Sequence, residues 1–376
     1  MFTVAGANLF GQWFADEIVI EGFQKVSKLC EEINFDLDQA KLVQATWSYN
    51  IFEQNGTFFI SGSFKGKDNQ LLPLPLPEDL DKDSMSNLLV AGNDHNLILV
   101  EAEKQVIWVI DLKFVQETKK LNLNTEGPVE EPESVGKRAR KVNQVTKVVV
   151  TNNACVYLKC LNKTTEIYTG LLPSFFNTER CNGRIIDVQC GYEHYVLLTD
   201  TGRVYTWGNG RRLQLGHGDI QNEDEPRELR ALSGIKIVKI RAGGWHSAVL
   251  SEFGDLYIWG WNDVGQLGVK SRAQRRKEAK EGPLKQKKTY TIPVVVDLYD
   301  EEINEVSLDV LDVCCGTKHT AILLDDYSIW ASGSNEYGQL GLPTVECSKK
   351  EHFVKVYQGS EDSFLRCGPW STVVIK

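Results

Sequence analysis

The feature that most constrains the fold of this chain is a stretch in which two short apolar runs alternate with glycine-containing turns. Residues 241–268 read RAGGWHSAVLSEFGDLYIWGWNDVGQLG. The runs AVL and LYIW flank a turn at Gly254 and Asp255, which is the pattern of a β-hairpin. A copy of this hairpin at a fixed spacing would decide the architecture of the whole chain.

The hairpin recurs. Close copies occupy residues 188–216 and 313–341, weaker copies occupy residues 43–62 and 89–108, and a faint copy lies near residues 150–170. In this alignment the position of His246 is taken elsewhere by Tyr49, His95, His194, His319 and Ser371. The period is near 50 residues once an insertion of about 21 residues is allowed after residue 268. Such a period is typical of propeller blades of about four strands.

The two ends of the chain each carry half of a repeat. Residues 5–14 (AGANLFGQWF) resemble its second half, and residues 366–375 (RCGPWSTVVI) resemble its first half. Joined, they would form one blade, which closes a ring of strands and removes its open edges. The sequence therefore predicts an all-β fold, a single seven-bladed β-propeller over residues 1–376 whose N- and C-terminal half-repeats share one blade.

Two segments, 116–147 and 269–289, do not fit the period. Both are polar, so we expect mobile insertions, the second of them between blades. The formal net charge is −9, but residues 137–147 carry +5 and residues 270–288 carry +7, which leaves about −21 on the body. An acidic body argues against a propeller that binds duplex nucleic acid as a whole, and we leave direct nucleic-acid binding open. It favours basic protein partners, such as histone tails or ribosomal proteins.

Other classes of protein find little support. The nine cysteines include no C-x-x-C pair, so zinc-site spacing is absent and we expect reduced thiols. Residues 1–14 make a poor signal peptide, and no apolar run approaches ~20 residues, so we expect no membrane span. There is no P-loop, G-x-S-x-G or H-E-x-x-H motif. We therefore expect no catalytic residue, no metal site and no cofactor.

The repeated polar and glycine positions are interpreted as structural. We expect each histidine of the repeat to bond the backbone of its own blade, and the glycines to serve turns or close approaches. The residues in this group are His95, His194, His246, His319, Gly244, Gly260, Gly265 and Gly268.

Two further groups are candidates for binding. Four tryptophans could contact a protein partner, since exposed aromatic residues are common at interfaces; they are Trp47, Trp245, Trp261 and Trp370. Two basic groups could act in nuclear import or in contacts with chromatin, with solvated loops as the alternative. These residues are Lys137, Arg138, Arg140, Lys141, Arg272, Arg275, Arg276 and Lys277.

Three motifs carry a family resemblance: C/A-G-x-x-H-S/T, G-x-L/V-Y-x-W-G and N-x-x-G-Q-L-G, found in residues 188–268 and 313–341. They resemble the regulator-of-chromosome-condensation repeat family, which implies a seven-bladed propeller. Resemblance to its small stand-alone members implies a non-enzymatic adaptor of the nucleus and chromosome, with the cytoplasm as a further location. It also implies pairing with a Jumonji-C-type oxygenase and an influence on histone methylation and chromosome segregation.

Alternatives from other classes remain. The founding member of that family implies guanine-nucleotide exchange on a small nuclear GTPase, through a protruding β-wedge and acidic residues on one face. A third hypothesis is microtubule or chromosome anchoring through residues 270–288. We expect the protein to be monomeric by itself.

Overall fold

The computed structural model describes residues 1–113, 118–123, 143–162, 164–282 and 288–376. In these residues the chain forms seven four-stranded antiparallel sheets and one additional two-stranded sheet. The prediction of an all-β, seven-bladed propeller is therefore confirmed. The first strand of each blade lines the centre of the ring.

The first third of the chain supplies two strands of the closing blade, the small extra sheet, and blades 1 and 2. Their strands are β1 (Phe2–Ala7), β2 (Val19–Val26), β3 (Leu29–Cys30), β4 (Phe35–Asp36), β5 (Lys41–Ala45), β6 (Tyr49–Gln54), β7 (Thr57–Phe64), β8 (Lys67–Pro73), β9 (Leu88–Gly92), β10 (Asn96–Glu101), β11 (Val106–Asp111) and β12 (Thr118–Asn122). Short 3-10 helices lie at Glu31–Ile33 and Lys82–Asn87.

The middle of the chain forms blades 3, 4 and 5. Their strands are β13 (Asn143–Val150), β14 (Cys155–Leu161), β15 (Thr164–Thr169), β16 (Ser174–Phe176), β17 (Ile185–Cys190), β18 (His194–Thr199), β19 (Val204–Gly208), β20 (Glu223–Glu228), β21 (Ile237–Ala242), β22 (His246–Ser251), β23 (Leu256–Trp261) and β24 (Thr289–Val295). A third 3-10 helix spans Arg230–Leu232, and helix α1 spans Arg272–Glu281.

The last part of the chain forms blade 6 and completes blade 7. These strands are β25 (Val310–Cys315), β26 (His319–Leu324), β27 (Ser328–Ser334), β28 (Lys349–Gln358), β29 (Phe364–Gly368) and β30 (Ser371–Ile375). Blade 7 has the strand order β2-β1-β30-β29, with β1 and β30 in register from Phe2 opposite Ile375 to Gly6 opposite Ser371. The predicted closure by two half-repeats is confirmed.

The hydrophobic core lies between neighbouring blades. Ile258 of blade 5 is fully buried in a cluster with Val313 and Ile322 of blade 6. Trp259 of blade 5 is fully buried with Val196 of blade 4. Alternate residues of one strand thus face the blade before and the blade after, as the two-residue period of a strand requires. Each blade is stable only between two others, so the closure of the ring matters to all of them.

The two segments outside the period contain strands and a helix where the structure describes them, and their predicted mobility stays a prediction. Strand β12 and the start of β13 fall inside 116–147, while residues 114–117 and 124–142 lie outside the described residues. In 269–289 the chain forms α1, whose N-cap Ser271 and Gln274 make a reciprocal capping box. The insertion lies between the third and fourth strands of blade 5 rather than between blades. The fourth strand, β24, contains Pro293, a residue that weakens the sequence signal of a strand, and this hid the true end of the blade.

The expectation of fully reduced cysteines is also corrected. Cys314 and Cys367 form a disulfide, with their Cα atoms 5.5 Å apart. They lie on β25 and β29, the innermost strands of blades 6 and 7. A separation of 53 residues is about one repeat, so the ring brings the two side chains together although the linear spacing gives no sign of a pair.

Candidate functional site

The repeat histidines bond the next blade, not the backbone of their own. His194 Nε2 lies 2.9 Å from Ser247 Oγ, His246 Nε2 lies 3.0 Å from Thr320 Oγ1, and His319 Nε2 lies 3.1 Å from Thr372 Oγ1. The expectation of an intrablade backbone bond was therefore wrong. It failed because the backbone donors and acceptors of each hairpin are already paired within the sheet, which leaves the imidazole to reach across.

Each of these hydroxyl groups also contacts a backbone carbonyl of the preceding blade. Thr320 Oγ1 donates to the carbonyl of Gln266 at 2.6 Å, and Thr372 Oγ1 donates to that of Gln339 at 2.7 Å. Since the hydroxyl proton is used there, the imidazole Nε2 must carry a proton and donate it. Burial lowers the pKa of His194 and of His246 to about 3 and that of His319 to about 4, so all three are neutral near pH 7.

His95 does not share this position. The residue that begins the second strand of blade 2 is Asn96, whose carbonyl accepts from Asn93 N at 2.9 Å as the carbonyl of His194 accepts from Gly191 N. His95 itself is exposed. The assignment of His95 to the repeat position was wrong by one residue, because Gly92 is not the counterpart of Gly191: it pairs with Leu97 as Cys190 pairs with Tyr195.

The repeat glycines occupy turns and close approaches. Gly260, Gly265 and Gly268 have φ values of +105°, +88° and +66°, a region that favours glycine. At Gly244 an added Cβ would lie 2.7 Å from the carbonyl oxygen of Thr317 in the next blade. These four residues therefore shape the loops that present the side chains described below.

One face of the ring carries the turns between the first and second strands of the blades, together with the loops that follow the third strands. We call it the aromatic face. At the junction of blades 7 and 1, the ring centroids of Trp47 and Trp370 are 6.0 Å apart, and Tyr337 lies 5.2 Å from each. Phe10 lies 6.1 Å from Trp47. These four partly exposed residues are the closure cluster.

A second group lies at blades 4 and 5 on the same face. The guanidinium carbon of Arg212 is 4.8 Å from the ring centroid of Trp245 and 4.8 Å from that of Trp261. Tyr192 packs edge-on against Trp245 at 5.6 Å and shares a 2.9 Å hydrogen bond with Thr317 Oγ1. We call Tyr192, Arg212, Trp245 and Trp261 the Arg212 cluster. Cation–π contacts hold its arginine in place at partial exposure.

The structure thus places all four candidate tryptophans on one face, in two groups. Sequence reasoning missed their companions Phe10, Tyr192, Arg212 and Tyr337. A signal was present, because Phe10, Arg212 and Tyr337 each precede by two residues the glutamine of the G-Q-L-G motif or its counterpart. The side chain two residues before this glutamine reaches the turn between the first and second strands of the following blade.

The aromatic face surrounds the mouth of a central channel with a cavity of about 840 Å³. Its walls are the first strands of the blades, and Trp47, Tyr192 and Trp370 stand at its rim. Two ion pairs cross between blades inside it, Lys147 with Asp187 and Lys239 with Asp312. Lys147 belongs to the basic segment 137–147 of the sequence, but its charge is neutralised by Asp187 within the channel.

The basic residues predicted as contacts have different environments in the structure. Lys137, Arg138, Arg140 and Lys141 lie outside the described residues. On α1, Arg272 Nε donates to the carbonyl of Ile303 at 3.0 Å, and Arg275 donates to the carbonyls of Tyr299 and Asp300 at 2.8 and 2.9 Å. These two arginines dock the helix against residues 299–303. Arg276 and Lys277 are exposed.

Within the described part of the chain, no group of three or more His, Cys, Asp or Glu side chains is placed to hold a metal ion. In the same residues, no helix has the length and apolar character needed to cross a membrane.

Comparisons with known proteins agree with this architecture. The regulator of chromosome condensation (RCC1) repeat matches residues 201–250 and 254–323, and a second description of the same repeat matches 185–214, 237–266 and 310–339. RCC1 domain-containing protein 1 of Mus musculus is 36% identical over 216 residues, which are 51% of this chain and 55% of the relative. The Homo sapiens protein of that name is 33% identical, with 51% and 56% covered. The match thus spans about half the length of either relative.

Solved structures show the same fold. Prp20p from Saccharomyces cerevisiae superposes with a TM-score of 0.70 at 13% identity, over 99% of this chain and 90% of that one. Human WBSCR16 superposes with a TM-score of 0.67 at 17% identity, over 100% and 99%. The chain is therefore a seven-bladed β-propeller in which residues 185–339 match RCC1 repeats.

Proposed function

We propose that this protein is a non-enzymatic interaction scaffold whose partner docks on the aromatic face. The observation that carries the proposal is the pair of partly exposed groups, the closure cluster and the Arg212 cluster, at the mouth of the channel. Tryptophan, tyrosine and arginine are the side chains that contribute most to binding at protein interfaces. Buried interblade hydrogen bonds beneath them hold the face rigid, which limits the entropy lost on docking.

The electrostatics favour a basic partner. Outside its two basic segments the chain carries about −21. The acidic strand β20 (EDEPRE) is not the main source of this charge, because Glu223, Glu225 and Glu228 are paired with Arg227, Arg180 and Arg203. A negative surface raises the association rate of positively charged proteins, and the effect weakens with salt.

The specific partner we propose is a Jumonji-C-type oxygenase, with basic chromatin proteins as further contacts. In this proposal the protein acts in the nucleus and on the chromosome, with a cytoplasmic pool, and influences histone methylation and chromosome segregation. Support comes from the sequence resemblance and from 36% identity to RCC1 domain-containing protein 1 over half of the chain. The exposed residues Arg276 and Lys277, with the predicted basic group 137–141, remain the proposed import or chromatin contacts.

The alternative is guanine-nucleotide exchange on a small nuclear GTPase. It is favoured by the match of the whole ring to Prp20p, whose structure was described with its binding to Gsp1p and histones. The small sheet of β3 and β4 does not protrude as a wedge, since Phe35 and Leu37 are fully buried in the core. That packing favours the scaffold over the exchange factor.

Binding of the purified chain to a purified Jumonji-C-type oxygenase tests the proposal. Trp47→Ala and Trp245→Ala should each weaken binding at least about tenfold, as expected for residues at the centre of an interface. Phe253→Ala is the matched control, because Phe253 is 73% exposed on the turn between the second and third strands, at the opposite face. Equal affinity for all variants would contradict the proposed docking face. Accelerated nucleotide release from the GTPase would establish the alternative.

A further inference from the structure

The central channel contains positive charge that the described residues do not neutralise. Lys147 and Lys239 are paired with Asp187 and Asp312. Arg241 and Arg366 also line the channel, yet neither forms an ion pair within 4 Å among the residues that the structure describes. The two lysines of the same channel walls, by contrast, each have a carboxylate partner.

The two arginines lie at the same depth. Arg241 on β21 pairs with Ala248, and Arg366 on β29 pairs with Val373. Each therefore stands five residues before the start of the second strand of its blade. Blade 6 lies between them and contributes Cys314 at this level, which pairs with Ala321. The ring thus brings two guanidinium groups to either side of a small, uncharged residue.

The level beneath the arginines is neutral. Lys239 and Asp312, two residues earlier on β21 and β25, form their ion pair at 2.8 Å there. A ligand that enters from the aromatic face therefore meets the arginines before it meets this neutral level. Asp94 at the rim is occupied by hydrogen bonds from Asn152 Nδ2 at 3.0 Å and Ser48 Oγ at 3.2 Å.

The donors of both arginines are mostly available. Arg241 Nη1 donates to the carbonyl of Ile240 at 2.9 Å, and no hydrogen bond from the Arg366 side chain is found in the described residues. Desolvation in the channel and the nearby charge of Arg241 lower the pKa of Arg366, against the opposing effect of Asp312, although the residue stays exposed to solvent. Two like charges in a confined space cost free energy that a bound anion would recover.

We infer that the channel binds a small oxyanion-bearing molecule, held between the guanidinium groups of Arg241 and Arg366. A guanidinium group presents a planar fork of N–H donors that matches a phosphate or a carboxylate in bidentate fashion. The cavity of about 840 Å³ has the size of a site for a small molecule rather than for a folded domain. This inference does not depend on the partner that docks on the aromatic face.

Calorimetric titration of the full chain with sodium pyrophosphate, at constant ionic strength and pH 7.5, tests the inference. A parallel titration with citrate distinguishes a phosphate ligand from a carboxylate ligand, and saturable binding of either supports an oxyanion site. Arg241→Gln and Arg366→Gln should each raise the dissociation constant about tenfold or more, because one charge-assisted fork is lost. Arg230→Gln, at an exposed arginine in a 3-10 helix away from the channel walls, should leave it unchanged.

Two further measurements separate binding from folding. Arg366→Lys keeps the charge but loses the fork, so binding should be weakened yet still detectable. Without ligand, Arg241→Gln should unfold at the same urea concentration as the wild type or a higher one, because a like-charge repulsion is removed. The inference is overturned if neither anion binds the wild-type chain, or if both glutamine variants bind as the wild type does.

Discussion

His246 and Thr320 join blades 5 and 6 through a buried hydrogen bond in which the imidazole Nε2 donates to Oγ1 over 3.0 Å. The same relationship links His194 to Ser247 and His319 to Thr372, so it repeats across three successive blade junctions. A neutral imidazole is required at each of them. This requirement couples the stability of the ring to pH.

Acid should weaken the ring before it protonates surface carboxylates. The folded-state pKa values of about 3, 3 and 4 lie below the ordinary value of 6.5, so the unfolded chain binds more protons. The contribution of the three neutral histidines to the free energy of unfolding is complete above about pH 6.5 and is lost as the pH falls toward 4. Each histidine contributes a slope of about 1.4 kcal/mol per pH unit in this window. Urea unfolding from pH 8 to pH 5 measures this slope of stability against pH. His246→Gln should reduce the slope by the contribution of one histidine, about 1.4 kcal/mol per pH unit.

Removing the hydroxyl that accepts from His246 should destabilise the ring. Thr320→Val preserves shape but leaves the buried imidazole N–H without an acceptor, at a cost of about 1–3 kcal/mol. Thr320→Ser is the control, since blade 5 has Ser247 at this position and a lost methyl group costs only about 1 kcal/mol. Chemical denaturation of both variants gives the comparison. A smaller loss for valine than for serine would show that the hydrogen bond is unimportant.

Deletion of residues 366–376 should destabilise every blade. It removes β30 and most of β29, so β1 keeps β2 but loses its inner partner, and the ring is left with an open sheet edge. We expect early, broad melting and aggregation, measured by calorimetry and light scattering. Cooperative melting at the wild-type temperature would contradict closure through blade 7.

Reduction of the Cys314–Cys367 disulfide should lower stability without opening the ring. The bond joins neighbouring inner strands, and native disulfides of this kind contribute about 2–4 kcal/mol. Cys367→Ser should therefore melt earlier under non-reducing conditions and lose its response to a phosphine reductant. Cys190→Ser, at a buried free thiol on β17, should keep that response. Thiol counting by mass spectrometry before and after reduction verifies the bond.

The number of blades and the manner of closure follow from the amino-acid pattern alone. Apolar alternation, turn glycines and the half-repeats at residues 5–14 and 366–375 are local signals, and a fixed period multiplies them. Where the pattern is degenerate, as around His95, the register was misplaced by one residue. Pro293 weakens the strand signal of β24, so the insertion 269–289 was placed between blades rather than inside blade 5.

Contacts between blades were decided only by the tertiary structure. The partners of His246, the pairing of Cys314 with Cys367, the two aromatic clusters and the level shared by Arg241 and Arg366 all join residues that are distant in sequence. Each contact depends on the curvature of the ring and on strand register, which are set by packing across many blades at once. A repeat determines what each blade is, but only the closed ring determines which side chains meet at its centre and on its face.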